Sequence, residues 1–162
     1  MISFKIPKFA QKIEIKKFFI KKHLHDLLNA SNEKENKSDK MERFKPWAPK
    51  LEQLYFVYKV VTLNKRLTIL EFGSGWSSLV FISALNELKK KYQTKIKLLR
   101  KSNPFNLFAV DNEKKYLSVS KKRAINFMKK KNFISKCNFL YSDVIMTKYN
   151  NHIVTEYKKL PL

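Results

Sequence analysis

The sequence predicts an α/β fold built on parallel strands, and three observations support this prediction. Short apolar runs alternate with amphipathic helical segments from residue 50 onward. Each apolar run has the length of a buried strand, and each intervening segment is long enough to form a crossover helix. The apolar fraction of 44% in 162 residues is sufficient for the core of one domain.

The first part of the chain is predicted to be a basic helical extension over residues 1–28. An amphipathic helix is expected over residues 8–28, and we favour its packing on the domain over its lying on a membrane surface. His23 and His25 are two residues apart, which predicts surface histidines pointing in different directions and no shared metal. The apolar side chains that recur at helical spacing are Phe9, Ile13, Ile20, Leu24 and Leu27.

Residues 29–49 are predicted to be a linker and an irregular entry to the domain. The stretch NASNEKENKSDK, residues 29–40, is polar and has no apolar periodicity, and two prolines then flank Trp47. The domain itself is predicted to span residues 50–162. It begins with a helix over residues 50–61 whose buried side carries Leu51, Leu54, Tyr55, Tyr58 and Val61.

Three strands and two helices are predicted to follow in alternation, which implies parallel strands joined by right-handed crossovers. The second of these helices offers Tyr116, Val119, Ala124, Phe127 and Met128 for packing. A basic segment over residues 89–106 either extends the first helix or forms an added loop. The predicted strands cover residues 67–72, 107–111 and 137–142, and the predicted helices cover residues 77–92 and 113–130.

The net charge is +22, from 35 basic and 13 acidic residues. A field of this size attracts nucleic acid or anionic lipid. Nearly all the basic residues are lysine, whereas arginine grips phosphate bidentately, so we interpret the charge mainly as a solvated lysine-rich surface. A nucleic-acid-binding role for that surface, or a peripheral membrane contact through residues 8–28 without catalysis, is the alternative interpretation.

The sequence also narrows the cellular setting. No stretch approaches the ~20 consecutive apolar residues that span a bilayer, and the lysine-rich start lacks the apolar middle of a secretory signal. The single cysteine, Cys137, excludes an intramolecular disulfide and any cysteine-rich metal site. We therefore expect a cytoplasmic protein without a transmembrane segment.

Both glycines of the chain lie in one turn, at Gly73 and Gly75 of TILEFGSGWSSLVF. Glycine permits positive φ and lets the backbone approach a ligand closely. The turn joins the first predicted strand to the next helix, and a parallel sheet places its ligands at the carboxyl ends of its strands. The unpaired N–H groups of that helix attract carboxylates and phosphates, so the turn predicts a small-molecule site.

Acidic residues accompany this turn at the strand ends: Glu71 precedes the glycines, and Asp111 ends the second strand. The third position of the dinucleotide fingerprint is Ser78 instead of glycine, which argues against a nicotinamide-binding domain. The pieces ILEFGSGWSSL, LFAVDNE and CNFLYSDV resemble the first three motifs of class I S-adenosylmethionine-dependent methyltransferases. The GWSSL piece is similar to the catechol-type O-methyltransferases, although its glycine loop is one residue shorter. The resemblance covers residues 67–144.

The resemblance implies a three-layer Rossmann-like parallel sheet, here incomplete with its first three strands and preceded by N-terminal helices. It also implies a cofactor, S-adenosylmethionine, and an acceptor that we expect to be a small molecule or a glycan. One departure is that Asp111 lies 36 residues after Gly75, against about 20 in the compact unit. The implied cofactor-binding residues are Glu71, Gly73, Ser74, Gly75, Trp76, Ser77, Asp111, Asn112, Asp143 and Val144.

The resemblance also implies a role for most of these residues. Glu71 would hold the cofactor ammonium, and the turn with the Ser77 hydroxyl would take its carboxylate. Asp111 would accept from the ribose hydroxyls, with Asn112 bordering the adenine. Asp143 would accept from the adenine amino group, and the Val144 N–H would donate to the ring. Trp76 is expected to serve in packing more than in cofactor stacking.

The chain ends where the family's fourth strand is expected to begin, and that region normally lies next to the transferred methyl group. We therefore expect these residues to be the N-terminal part of a longer methyltransferase, inactive alone. The first strand would then have an unpaired apolar edge, which favours association. The sequence identifies no catalytic residue and no metal ligand.

Overall fold

A parallel sheet of three strands organises the protein. The structure is a computed structural model that describes residues 4–32, 48–98, 102–133 and 135–161. Its helices are α1 (Lys12–Lys21), α2 (His25–Asn32), α3 (Leu51–Leu63), α4 (Ser77–Ile96) and α5 (Lys114–Lys131). Its strands are β1 (Thr68–Phe72), β2 (Asn106–Asp111), β3 (Lys136–Tyr141), β4 (Val144–Tyr149) and β5 (His152–Tyr157).

The sheet order is β1–β2–β3, and both strand pairs are parallel. Ile69 lies beside Leu107, and Leu107 lies beside Cys137, so the strands end together at one edge. Helix α4 connects β1 to β2, and α5 connects β2 to β3. Helices α4 and α5 contact each other as well as the strands that they connect, as expected when both crossovers lie on one face of the sheet. The predicted α/β class with three parallel strands is confirmed.

Strand β1 is buried on one face only, which differs from the continuously buried strand that we expected. Ile69 and Glu71 are buried, but Leu70 is 43% exposed and Phe72 is 61% exposed. Within the described residues β1 pairs with β2 alone, so its outer edge has no partner strand. The ring of Tyr157 stacks on Phe72 with the ring centroids 5.6 Å apart, and the end of the chain thereby crosses the second face.

The single helix expected over residues 8–28 is wrong. The backbone leaves helical geometry at His23, whose φ is +59°, and two separate helices result. The expected apolar stripe also divides at this break. Leu24 and Leu27 are buried, whereas Phe9, Ile13 and Ile20 are exposed. The side chains that attach α1 to the domain are Ile15 and Phe19, on the opposite side of the helix.

An aromatic cluster holds α1 against α3. Phe18 meets Tyr55 and Tyr58 edge to face, with centroids 5.0 and 4.8 Å away. The Lys22 ammonium and the Tyr58 hydroxyl both donate to the Glu87 carboxylate of α4, which joins three helices at one point. Burial by itself raises the pKa of Glu87, but the bonds from Lys22 and Tyr58 outweigh it and lower the pKa.

The remaining helices follow the sequence closely. Helix α3 buries Leu54, Tyr58 and Val61, as predicted. Helix α4 continues to Ile96, so part of the long 89–106 segment extends this helix. Helix α5 buries Ala124 and Phe127 as predicted, whereas Val119, expected in the packed face, is exposed.

A β-hairpin follows β3, and the sequence analysis did not predict it. Strands β4 and β5 pair antiparallel in a separate sheet, around Asn150 and Asn151 with φ of +47° and +64°. Positive φ at both central residues matches a two-residue type I′ turn, to which asparagine is well suited. Residues 153–157, IVTEY, therefore lie wholly in a hairpin strand, where we expected only the approach to a further parallel strand.

Two other expectations have partial outcomes. Asn29–Asn32, placed in the linker, belong to α2, while residues 33–47 of that linker and entry segment lie outside the described residues. None of the helices in the described ranges has the length and hydropathy required to cross a bilayer.

The two faces of α1 predict a large difference between neighbouring substitutions. Phe19→Ala removes a fully buried ring and should lower the free energy of unfolding by about 3–5 kcal/mol. Ile20→Ala, one residue away on the exposed side, should change it by less than about 0.5 kcal/mol. Urea denaturation followed by circular dichroism measures both, and equal effects would contradict the docking of α1.

Candidate functional site

The turn after β1 has the conformation that its first glycine permits. Gly73 has φ +79°, in the left-handed region where a side chain is strained. Its N–H donates to the carbonyl of Val110 at 2.8 Å, which continues the pairing of β1 with β2 by one residue. The expectation of positive φ in this turn is confirmed at Gly73.

Gly75 has a different explanation, because it lies outside the left-handed region. A Cβ atom built on it would meet no atom within 4 Å. Neither backbone strain nor contact with the rest of the described protein therefore requires glycine at this position. The absence of a side chain leaves open space beside the backbone at the carboxyl edge of the sheet.

The turn and the end of β2 are joined by hydrogen bonds to one carboxylate. The N–H and the hydroxyl of Ser74 donate to Asp111 Oδ2 at 2.7 and 2.6 Å. The Glu113 N–H donates to Asp111 Oδ1 at 2.9 Å. Asp111 is only 5% exposed, yet an ionised carboxylate has about four acceptor positions, and these three bonds leave capacity for one more donor.

Glu71 faces the first turn of α4. The Ser77 hydroxyl donates to Glu71 Oε1, and the Ser78 hydroxyl donates to Oε2 at 2.7 Å. The Ser77 hydroxyl, which the resemblance assigns to the cofactor carboxylate, links the end of β1 to the start of α4 in this structure. Ser78 was noted only as a missing glycine, although a serine in the first helical turn after an acidic strand end is a signal for this contact.

Burial raises the pKa of Glu71 to about 7, against an ordinary value of 4.5. The bonds from Ser77 and Ser78 lower the pKa, and the nearby Asp111 carboxylate raises it further. Two buried carboxyl groups thus share the carboxyl edge of β1 and β2 in a strongly basic chain. Such an edge favours ligand groups that donate hydrogen bonds or carry positive charge.

Trp76 is half-buried and packs against the core, as expected. The Arg123 guanidinium of α5 lies over its ring, 3.7 Å from the centroid. Burial lowers the pKa of Arg123, and its buried Nη1 has no hydrogen-bond partner among the described residues. Sequence reasoning missed this arginine, because it lies 47 positions from the tryptophan and carries no motif.

The third strand end contributes Asp143 and Val144. Asp143 is exposed and accepts from the Tyr141 hydroxyl at 2.6 Å, a bond that raises the pKa of Tyr141. Val144 begins β4 and pairs with Tyr157. The Ser142 N–H donates to the Asp111 carbonyl at 3.1 Å, so the β3 end lies directly beside the β2 end. Asn112, also exposed, follows Asp111 at this edge.

Two open hollows in the described surface lie away from this edge. One is bounded by α5 and the start of β3, and the other by the sheet face and the end of the chain. His23 and His25 are exposed, and no group of three histidine, cysteine, aspartate or glutamate side chains suited to a metal occurs in the described ranges.

The chain was compared with known proteins at the level of family, sequence and structure. No model of a known protein family, no curated protein and no solved structure matches the chain.

The raised pKa of Glu71 predicts a stability that falls as pH rises. The folded state holds the proton up to about pH 7, whereas the unfolded chain releases it near pH 4.5, so stability declines across this window. Glu71→Gln cannot ionise. We therefore compare the free energy of unfolding of Glu71→Gln with that of the unsubstituted protein at each pH. The value for Glu71→Gln minus the value for the unsubstituted protein should be about 2–3 kcal/mol larger at about pH 8 than at about pH 5.

Urea titrations at both pH values measure this difference, and Glu52→Gln on the exposed side of α3 is the matched control. The control should follow the unsubstituted protein at each pH. A difference between Glu71→Gln and the unsubstituted protein that stays constant with pH would contradict a buried, titrating carboxyl group at this site.

Proposed function

We propose that this protein binds S-adenosylmethionine at the carboxyl edge of β1 and β2 and is part of a methyltransferase. The observation that carries the proposal is the junction of the glycine turn with Asp111. Two motifs 37 residues apart meet through the Ser74 bonds, at the edge where parallel sheets bind ligands. The proposal includes a Rossmann-like layout as the finer description of the fold.

The chemistry of the edge suits the cofactor. S-adenosylmethionine carries an ammonium and a ribose diol, and buried carboxylates at Glu71 and Asp111 are suitable acceptors for such donors. The cofactor carboxylate would lie against the N-terminus of α4, where the helix dipole favours negative charge. The open space at Gly75 lets the ligand approach the backbone.

Glu71 would bind the ammonium in its ionised form. Its contacts with the two serines would therefore have a second role, which is to favour ionisation. The Ser77 and Ser78 hydroxyls lower the pKa of Glu71 and thereby favour the charge that an ammonium requires. Asp143 and Val144 at the β3 end, with Asn112, would border the adenine, as the resemblance implies. Ser142, which directly precedes Asp143, bonds to the Asp111 carbonyl, and this closeness of the two strand ends is compatible with that role.

Methyl transfer requires little of the protein beyond this binding. The sulfonium is a good leaving group, so alignment of the acceptor nucleophile with the methyl group in a dry site supplies most of the rate. We propose a small molecule or a glycan as acceptor, and we assign no catalytic residue.

Gly75 offers a direct test of the cofactor site. Gly75→Val should leave the free energy of unfolding within about 0.5 kcal/mol, because its Cβ meets no protein atom. The added side chain would occupy the space proposed for the ligand and should weaken S-adenosylmethionine binding by about 100-fold or more. Isothermal titration calorimetry with S-adenosylmethionine and with S-adenosylhomocysteine measures the affinity.

Ser118→Val, at an exposed position of α5, is the control and should bind like the unsubstituted protein. Failure of the unsubstituted protein to bind either compound would overturn the proposal. So would equal binding by Gly75→Val, or a preference for a nicotinamide dinucleotide in the same titration.

A further inference from the structure

The N-terminal region carries several large apolar side chains that are exposed within the described structure. Ile13 and Ile20 lie two helical turns apart on α1 and are 55% and 51% exposed. Phe9, three residues before the helix, is fully exposed, and Phe4 and Ile6 are also exposed. We call these five residues the outer apolar surface; they are Phe4, Ile6, Phe9, Ile13 and Ile20.

The outer apolar surface is held in place by contacts on the other side of the segment. Ile15 and Phe19 are buried against the domain, and Phe18 packs on the aromatic rings of α3. Nearer the N-terminus, the Lys5 N–H donates to the Asn64 side chain at 2.8 Å, and the Asn64 amide donates back to the Lys5 carbonyl. Because α1 is anchored through its other face, turning Ile13 and Ile20 inward would expose Ile15 and Phe19.

Lysines surround this surface. Residues 4–22 contain seven lysines and one acidic residue, Glu14. The Glu14 carboxylate accepts from the Gln11 N–H at the start of α1. Six of the lysines are exposed, and they are Lys5, Lys8, Lys12, Lys16, Lys17 and Lys21.

We infer that this surface docks on an anionic phospholipid bilayer, with α1 parallel to the membrane plane. An interfacial helix combines apolar side chains that enter the acyl boundary with lysines that meet anionic headgroups. The phosphates of a nucleic acid would interact with the lysines alone and leave the isoleucine and phenylalanine side chains in water. A second copy of the chain would bring two strongly positive surfaces together. Of these three partners, only the lipid surface satisfies both kinds of side chain.

This inference is independent of the proposed cofactor site, since it uses none of the residues at the sheet edge. The site and the surface are also tested by separate measurements.

The experiment is vesicle flotation of the full chain with phosphatidylcholine and phosphatidylglycerol vesicles, mixed at about 7:3, and with phosphatidylcholine alone. The paired substitution Ile13→Ser and Ile20→Ser keeps the net charge and should reduce partitioning onto the mixed vesicles by about 10-fold or more. Lys16→Gln with Lys17→Gln should reduce binding to the mixed vesicles by about 10-fold as well. Ile13 and Ile20 are both exposed, so circular dichroism should show that the paired serine variant folds like the unsubstituted protein.

The matched control is Ile145→Ser with Ile153→Ser on the β4–β5 hairpin, two further exposed isoleucines. It should stay within about twofold of the unsubstituted protein. Three results would overturn the inference: unchanged binding by the α1 serine pair, equal losses in the α1 and hairpin pairs, or binding to RNA without binding to the mixed vesicles. The first would show attraction by charge alone, and the last would assign the basic surface to nucleic acid.

Discussion

The Ser74 hydrogen bonds to Asp111 are the contact on which the arrangement of the sheet edge depends. Parallel pairing brings the ends of β1 and β2 together, and the Gly73 bond to Val110 extends that pairing into the turn. Ser74 then fastens the turn to the β2 carboxylate, so α4 begins at a defined place. That placement sets Ser77 and Ser78 against Glu71, and the two buried carboxyl groups are positioned together.

Helix α4 connects the sheet edge to the neighbouring helices. Its buried side chains contact the sheet on one side and α3 on the other. The Glu87 carboxylate of α4 accepts hydrogen bonds from Lys22 and Tyr58, and these bonds link the end of α1 and helix α3 to α4. The chain is strongly basic, yet its buried carboxyl groups concentrate at one edge while lysines occupy the surface. This separation of charge is the physical basis for proposing a cationic, hydroxyl-bearing ligand at the edge and an anionic partner elsewhere.

Most of the central elements could be predicted because local pattern and tertiary environment agree there. The β1, β2 and β3 segments are short apolar runs, and the α3, α4 and α5 segments repeat apolar residues at helical spacing. The predictions failed where two patterns coincide in one stretch. Apolar residues lie on both faces of α1. Helical periodicity therefore predicted that Ile13 and Ile20 are buried, whereas the buried residues are Ile15 and Phe19. The hairpin was missed because its asparagine turn was not recognised.

The sequence by itself determined the ends of the three strands to within one residue, where the glycine turn lies and that the three strands run parallel. These properties follow from spacing and backbone preference, which act over a few residues. Only the tertiary structure decided that Ser74 bonds to Asp111 and that Arg123 covers Trp76. It also decided which face of α1 is buried. Those contacts join side chains that are distant in the chain or that meet only after α4 and α5 have packed, so no local pattern encodes them.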